Sequence, residues 1–160
     1  MDALRRMFEA WGGTNVETFI ASGNVIFDSS RRNAEIAERL IEKHVHQALG
    51  YPSLTYLRSI TELAAIAAHQ PFPQEEFDQG AKLWVGFMKQ TPGRSAVKEV
   101  LALRGEYDDF AVEGRELYWL RRANFMESLG NGPPLERILG APITTRNVNT
   151  VRRLAAKYCD

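Results

Sequence analysis

Two hydrophobic periods alternate along this chain, and any fold it adopts has to satisfy both. Leu4, Met7, Phe8 and Trp11 recur at helical i, i+3, i+4, i+7 spacing ahead of Gly12-Gly13, so a first amphipathic helix begins almost at Met1. From Val16 the pattern changes. Val16, Thr18, Phe19, Ile20 and then Val25, Ile26, Phe27 have strand composition, interrupted by Ser22-Gly23-Asn24, which predicts one bent strand or a tight hairpin. The helical period returns with Ile36, Ala37, Leu40, Ile41, Val45, Ala48 and Leu49, where Asn33 is placed to cap and Gly50 to stop. Leu54 to Arg58 alternates as a short strand, and Ser59 followed by Glu62 is a capping-box pattern opening a helix that Pro71 ends.

Residues 73–80 are polar and read as a connection between halves 1–72 and 81–160. Beyond it, Leu83 to Met88 is apolar enough for a central strand, and Val97, Val100 and Leu101 mark a short helix. Tyr107 to Val112 and Leu117 to Leu120 read as two strands joined at Glu113-Gly114-Arg115. Gly130-Asn131-Gly132 is a turn, Pro133-Pro134 suits a helix start, and a last helix is expected from about Arg146 to Tyr158. Such interleaving predicts an α+β protein, one domain over residues 1–160, built of two small α/β-sandwich halves with helices packed on mainly antiparallel or mixed sheets.

Composition narrows the function. With 20 Lys+Arg against 20 Asp+Glu the formal net charge is zero, which argues against a general nucleic-acid binder relying on excess positive charge. Cys159 is the single cysteine, so no intramolecular disulfide forms and a reducing, cytoplasmic setting is expected. No apolar run approaches the roughly 18 residues that span a bilayer, and residues 1–12 do not form a secretion signal, so no membrane partner is expected.

Motifs for nucleotide, metal or nucleophile chemistry are missing. There is no P-loop, and Gly130-Asn131-Gly132 lacks the third glycine and the strand of a dinucleotide fingerprint. His44 and His46 stand two residues apart in a helix and cannot share an ion, so neither a metal nor a cofactor is expected. No catalytic set is legible, and the reading leans away from an enzyme. Asp108-Asp109 and Glu75-Glu76 are adjacent acids of the kind expected on solvated loops.

The segment that concentrates polar donors is Thr144-Thr145-Arg146-Asn147-Val148-Asn149-Thr150. At a helix start, backbone N–H groups and the positive dipole end favour a phosphate or carboxylate, and Arg146 adds a bidentate fork. Thr144, Thr145, Arg146, Asn147, Asn149 and Thr150 are therefore candidate ligand residues, with Ser22, Gly23, Asn24 and Arg58 as further candidates. The alternative is a plain cap, with Arg146 paired internally. Trp119, Arg121 and Arg122 support a second reading, stacking of single-stranded RNA or DNA.

Thr18 to Phe27 and Thr144 to Val151 resemble the two signature stretches of a bacterial family of unknown function, DUF1697, with Phe19 standing for its tyrosine and Val148 for its tryptophan. Arg58-Ser59, His69-Gln70-Pro71-Phe72 and the strand from Trp84 to Met88 are similar to further family positions. The resemblance implies a ferredoxin-like α+β fold and no established activity. It also implies a strand ahead of the first helix that this chain lacks, as in a late-placed start or a shortened copy. An unpaired sheet edge would then favour partner strands or self-association, a third reading as a protein-interaction or self-assembly module without a small ligand.

Overall fold

The computed structural model describes residues 2–19, 23–122 and 133–159. The chain divides into two compact units, Met1–Arg58 and Ser59–Asp160.

In the first unit, helix α1 (Asp2–Trp11) is followed by strands β1 (Thr14–Phe19) and β2 (Asn24–Asp28), which pair antiparallel, and by helix α2 (Ala34–Leu49). The expected hairpin is present. Its register is irregular between Thr14 and Glu17, where Asn15 takes the left-handed conformation at φ 51°, which asparagine tolerates better than most residues. The Asn15 side chain donates to Asp28 Oδ2 at 2.7 Å and holds the irregular end closed. Phe8 and Trp11 of α1 meet Phe27 of β2 at ring-centroid distances of 5.1 and 5.4 Å. Ala37, Ile41 and Val45 of α2 complete that core. Helix α2 is capped as its sequence requires: Asn33 Oδ1 accepts from Ile36 N–H at 3.0 Å, and Gly50 ends it at φ 80°.

One sequence expectation in this unit fails. Leu54 to Arg58 forms no strand and pairs with none among the described residues. Two of its alternate N–H groups are taken by helix carboxylates instead. Thr55 N–H donates to Glu42 Oε1 at 2.9 Å and Leu57 N–H to Glu38 Oε2 at 2.8 Å. Alternation in sequence does not say which acceptor the backbone meets.

The second unit begins with α3 (Ile60–Ala68), under the predicted capping box: Ser59 Oγ accepts from Glu62 N–H at 3.1 Å, and Ser59 N–H donates to Glu62 Oε1 at 2.9 Å. Then come α4 (Gln74–Asp78), β3 (Lys82–Phe87), α5 (Arg94–Leu101), β4 (Asp108–Glu113), β5 (Glu116–Arg121), α6 (Pro133–Leu139), β6 (Thr144–Asn147) and α7 (Val148–Tyr158). The four strands form one antiparallel sheet in the order β4-β5-β3-β6. β4 and β5 turn over Gly114-Arg115, with Glu113 opposite Glu116 and Gly114 at φ 57°.

Both faces of the sheet are covered. Trp84, Met88, Phe110, Leu117 and Trp119 pack with residues of α5 and α6. Alternation puts Leu83, Val85 and Phe87 on the other face, where α7 packs against β3 and α3 packs against α7. Gly86 belongs to the first face, where Ile143 fills the space a side chain would need. The packing of α3 on α7 moves the boundary between units to 58/59, ahead of the polar stretch 73–80. That stretch carries α4 inside the second unit. The molecule is a mixed α+β protein.

Tyr118 supplies a pH test. It is 1% exposed, and burial, followed by the negative charges of Glu116 and Glu113, pushes its hydroxyl up to about 12. A raised pKa means that folding favours the protonated phenol. The associated stability is complete below the ordinary tyrosine value of about 10 and is lost as pH rises from there through about 12. Denaturation midpoints of the wild type are expected to fall across this window, with a smaller fall for Tyr118→Phe. Equal alkaline slopes would place the phenol in water.

A candidate anion site where the last strand meets the last helix

β6 runs into α7 without a loop. Asn147 is both the last ladder residue, opposite Trp84, and the helix cap, its Oδ1 accepting from Asn149 N–H at 2.9 Å. Thr144 to Asn147 are therefore strand, which corrects the expectation of a helix start over 144–150. Only Val148, Asn149 and Thr150 lie in the first turn of α7. The reason is pairing with Phe87 to Trp84 of β3, a long-range contact that outweighs the local polar character of the segment.

Antiparallel register brings this helix start to the beginning of β3, and a cavity of about 310 Å³ opens there. One wall is Asn147, Val148, Asn149 and Arg152; another is Lys82 and Leu83; Gln70, Gln74, Phe77 and Ala81 close it from the α3–α4 side. Helical spacing explains Arg152, which stands four residues after Val148 and so overlies the first turn. Val148, where the resemblance places a tryptophan, is buried and forms part of the wall.

The charges are one-sided. Lys82 and Arg152 line the cavity, and among the described residues no carboxylate does. Neither cation takes part in an ion pair among the described residues. Other arginines of the unit are compensated: Arg115 by Glu62 at 2.6 Å, Arg104 by Asp109 at 2.9 Å, and Arg122 by both oxygens of Glu76 at 2.8 and 2.9 Å. Burial opposes ionisation of Glu62, yet the Ser59 N–H and Arg115 hold its carboxyl below the usual range. The positive end of α7 adds to the field of the two cations.

The sequence candidates fall in different places. Asn147 and Asn149 line the cavity; Thr144, Thr145, Arg146 and Thr150 do not. Arg146 Nη1 donates to Thr144 Oγ1 at 3.0 Å and to the Thr145 carbonyl at 2.8 Å, and burial lowers its pKa. Gly23, at φ 85°, and Asn24 shape the β1–β2 hairpin in the first unit, Asn24 Nδ2 donating to the Phe19 carbonyl at 3.0 Å. Arg58, the last residue of that unit, donates to the Leu57 carbonyl at 2.9 Å. Ser22 and the Gly130-Asn131-Gly132 turn lie outside the described residues.

Other expectations resolve similarly. Trp119 is 4% exposed, stacks on Phe110 and donates to Asp108 Oδ1 at 2.6 Å. Arg121 covers it at 5.0 Å, on the same side of the strand as expected, so the indole offers no free face to a base. Asp108-Asp109 is in strand β4 with Asp108 buried, not on a solvated loop, because Trp119 and the arginines need acceptors there. Lys82, Arg152, Gln74 and Phe77 escaped sequence reasoning, and Gln70 entered it only as a position similar to the family, since no local pattern unites residues that distant elements bring together. Among the described residues no three ligating side chains cluster as for a metal, and no helix is long and apolar enough to cross a membrane.

A family model described as a protein of unknown function, DUF1697, matches residues 1–118. The chain belongs to DUF1697. The matched range takes in Lys82 and the α3–α4 wall and ends ahead of β6 and α7. This DUF1697 chain is similar in fold to a conserved bacterial protein from Streptococcus pneumoniae, with TM-score 0.72 and 20% identity over 100% of this chain and 89% of that one. No curated protein matches it.

Proposed function

We propose that this DUF1697 protein is a small cytoplasmic binding module for a phosphate- or carboxylate-bearing ligand, held in the cavity at the start of α7. The observation carrying this reading is that, among the described residues, two exposed cations without ion pairs line a cavity of about 310 Å³ with no acid in its wall. In a chain of zero net charge, such a concentration is a local feature with a local use. The volume suits a small molecule rather than a macromolecular groove. The element order β3-α5-β4-β5-α6-β6 supports a ferredoxin-like description of the second unit, a scaffold that by itself specifies no chemistry. The lone thiol of Cys159 is compatible with a reducing compartment.

The reading moves the expected ligand contacts from Arg146 to Lys82 and Arg152. Thermal-shift titrations with inorganic phosphate should stabilise the wild type. Lys82→Gln and Arg152→Gln should each weaken binding about tenfold, the effect of losing one charge-assisted hydrogen bond of about 1.5 kcal/mol. Arg146→Ala should retain it. Binding lost in Arg146→Ala and kept in the other two would overturn the assignment.

A further inference from the structure

We infer that the ligand is a dianionic phosphate monoester with a hydroxyl-bearing body, an inference that rests on the anion-site reading above. The charge argument comes first. Lys82 and Arg152 together present two positive charges, with no carboxylate in the wall among the described residues. A monocarboxylate would neutralise one and leave the other facing a ligand with nothing more to offer. A phosphate monoester carries about −1.5 to −2 charges near neutrality and three acceptor oxygens. That matches a planar guanidinium fork and a compact ammonium approaching from separate elements.

The remaining wall describes the rest of the molecule. Gln70, Gln74 and Asn149 bring carboxamides, and Phe77 and Leu83 bring apolar surface. The glutamines are ordered in a relay: Gln74 Nε2 donates to Asp78 Oδ1 at 3.1 Å, and Gln74 Oε1 accepts from Gln70 Nε2 at 3.2 Å. With those roles fixed, Gln70 keeps an oxygen acceptor and both amides keep a second N–H donor. A surface that both donates and accepts is matched by hydroxyl groups, which do the same. The ring of Phe77 suits the C–H face of a polyol. Gln70, Gln74 and Asn149 are exposed at the rim, where an inorganic ion would leave them and a hydroxyl-bearing body would engage them.

The test measures affinities of the full chain for glucose 6-phosphate, inorganic phosphate, inorganic sulfate and lactate by calorimetry, near pH 7.5 and near pH 5. Glucose 6-phosphate is expected to bind at least tenfold more tightly than lactate and more tightly than inorganic phosphate. Its affinity should fall about tenfold on acidification, because the second phosphate pKa is about 6. Sulfate stays a dianion throughout and reports any change in the protein itself. The charged and titratable groups on the elements around the cavity are Lys82 and Arg152 in its wall, Arg153 on α7, Glu75, Glu76 and Asp78 on α4, and His69, which packs on the Tyr118 ring at 4.8 Å. Gln74→Leu should weaken glucose 6-phosphate by a larger factor than it weakens inorganic phosphate.

Lactate binding as tightly as glucose 6-phosphate, or affinity for the ester that tracks sulfate across pH, would overturn the dianion inference and leave the anion site standing. Glucose 6-phosphate no tighter than inorganic phosphate would overturn the hydroxyl-bearing body. No binding of any anion would remove the site and this inference together.

Discussion

Trp119→Ala should destabilise the second unit by about 3–5 kcal/mol, a large part of the 5–15 kcal/mol available to a typical domain. The indole is 4% exposed, stacked on Phe110 and covered by Arg121, so its removal leaves a cavity that neighbouring strands cannot close. Trp119→Phe separates the contributions. It keeps most of the packing but takes the 2.6 Å donor from Asp108, itself 5% exposed, and is expected to cost about 1–3 kcal/mol. Urea denaturation of both variants measures the difference. An alanine variant within about 0.5 kcal/mol of the wild type would put Trp119 at the surface. The outcome matters for the nucleic-acid reading, because loss of RNA binding in an unfolded variant would say nothing about base stacking.

The second large effect is expected at Gly86. A Cβ there would overlap Ile143 Cδ1, approach Ile143 Cγ1 to 3.0 Å and touch Leu117 Cβ at 3.5 Å. Gly86→Ala should therefore cost about 1–3 kcal/mol by overpacking, despite the gain in strand propensity. Ile143→Val removes the overlapping methyl and alone should cost about 0.5–1.5 kcal/mol. The double variant should be more stable than the sum predicts, with a coupling of at least about 0.5 kcal/mol. Strict additivity would mean that residue 86 and Ile143 do not meet.

The elements whose determinants are local were legible in the sequence. Asn33 and Gly50 bounded α2, Ser59 and Glu62 opened α3, and Glu113-Gly114-Arg115 turned the hairpin, each through bonds within a few residues. Errors arose where a distant partner decided. Leu54 to Arg58 had strand alternation, but the carboxylates of Glu38 and Glu42 occupied its backbone. Thr144 to Asn147 had the polar character of a helix start, but β3 captured it as a strand. The cavity repeats the lesson: Asn147 and Asn149 could be named from their own segment, whereas Lys82, Gln70 and Arg152 come from elements that only the folded sheet brings to one place.

The connectivity of the sheet also sets an order of assembly. The β4–β5 hairpin closes over two residues, whereas β6 must find β3 across most of the second unit's sequence. Short closures form early and long ones late, so the hairpin can nucleate the sheet and β6 completes it. Because β6 continues directly into α7, the cavity wall is finished in that last step. The same edge can open by sub-global unfolding while the hairpin stays protected. A ligand lodged there would therefore tie down the least nucleated part of the unit, and its binding energy would appear chiefly as slowed opening of β6 and the first turn of α7.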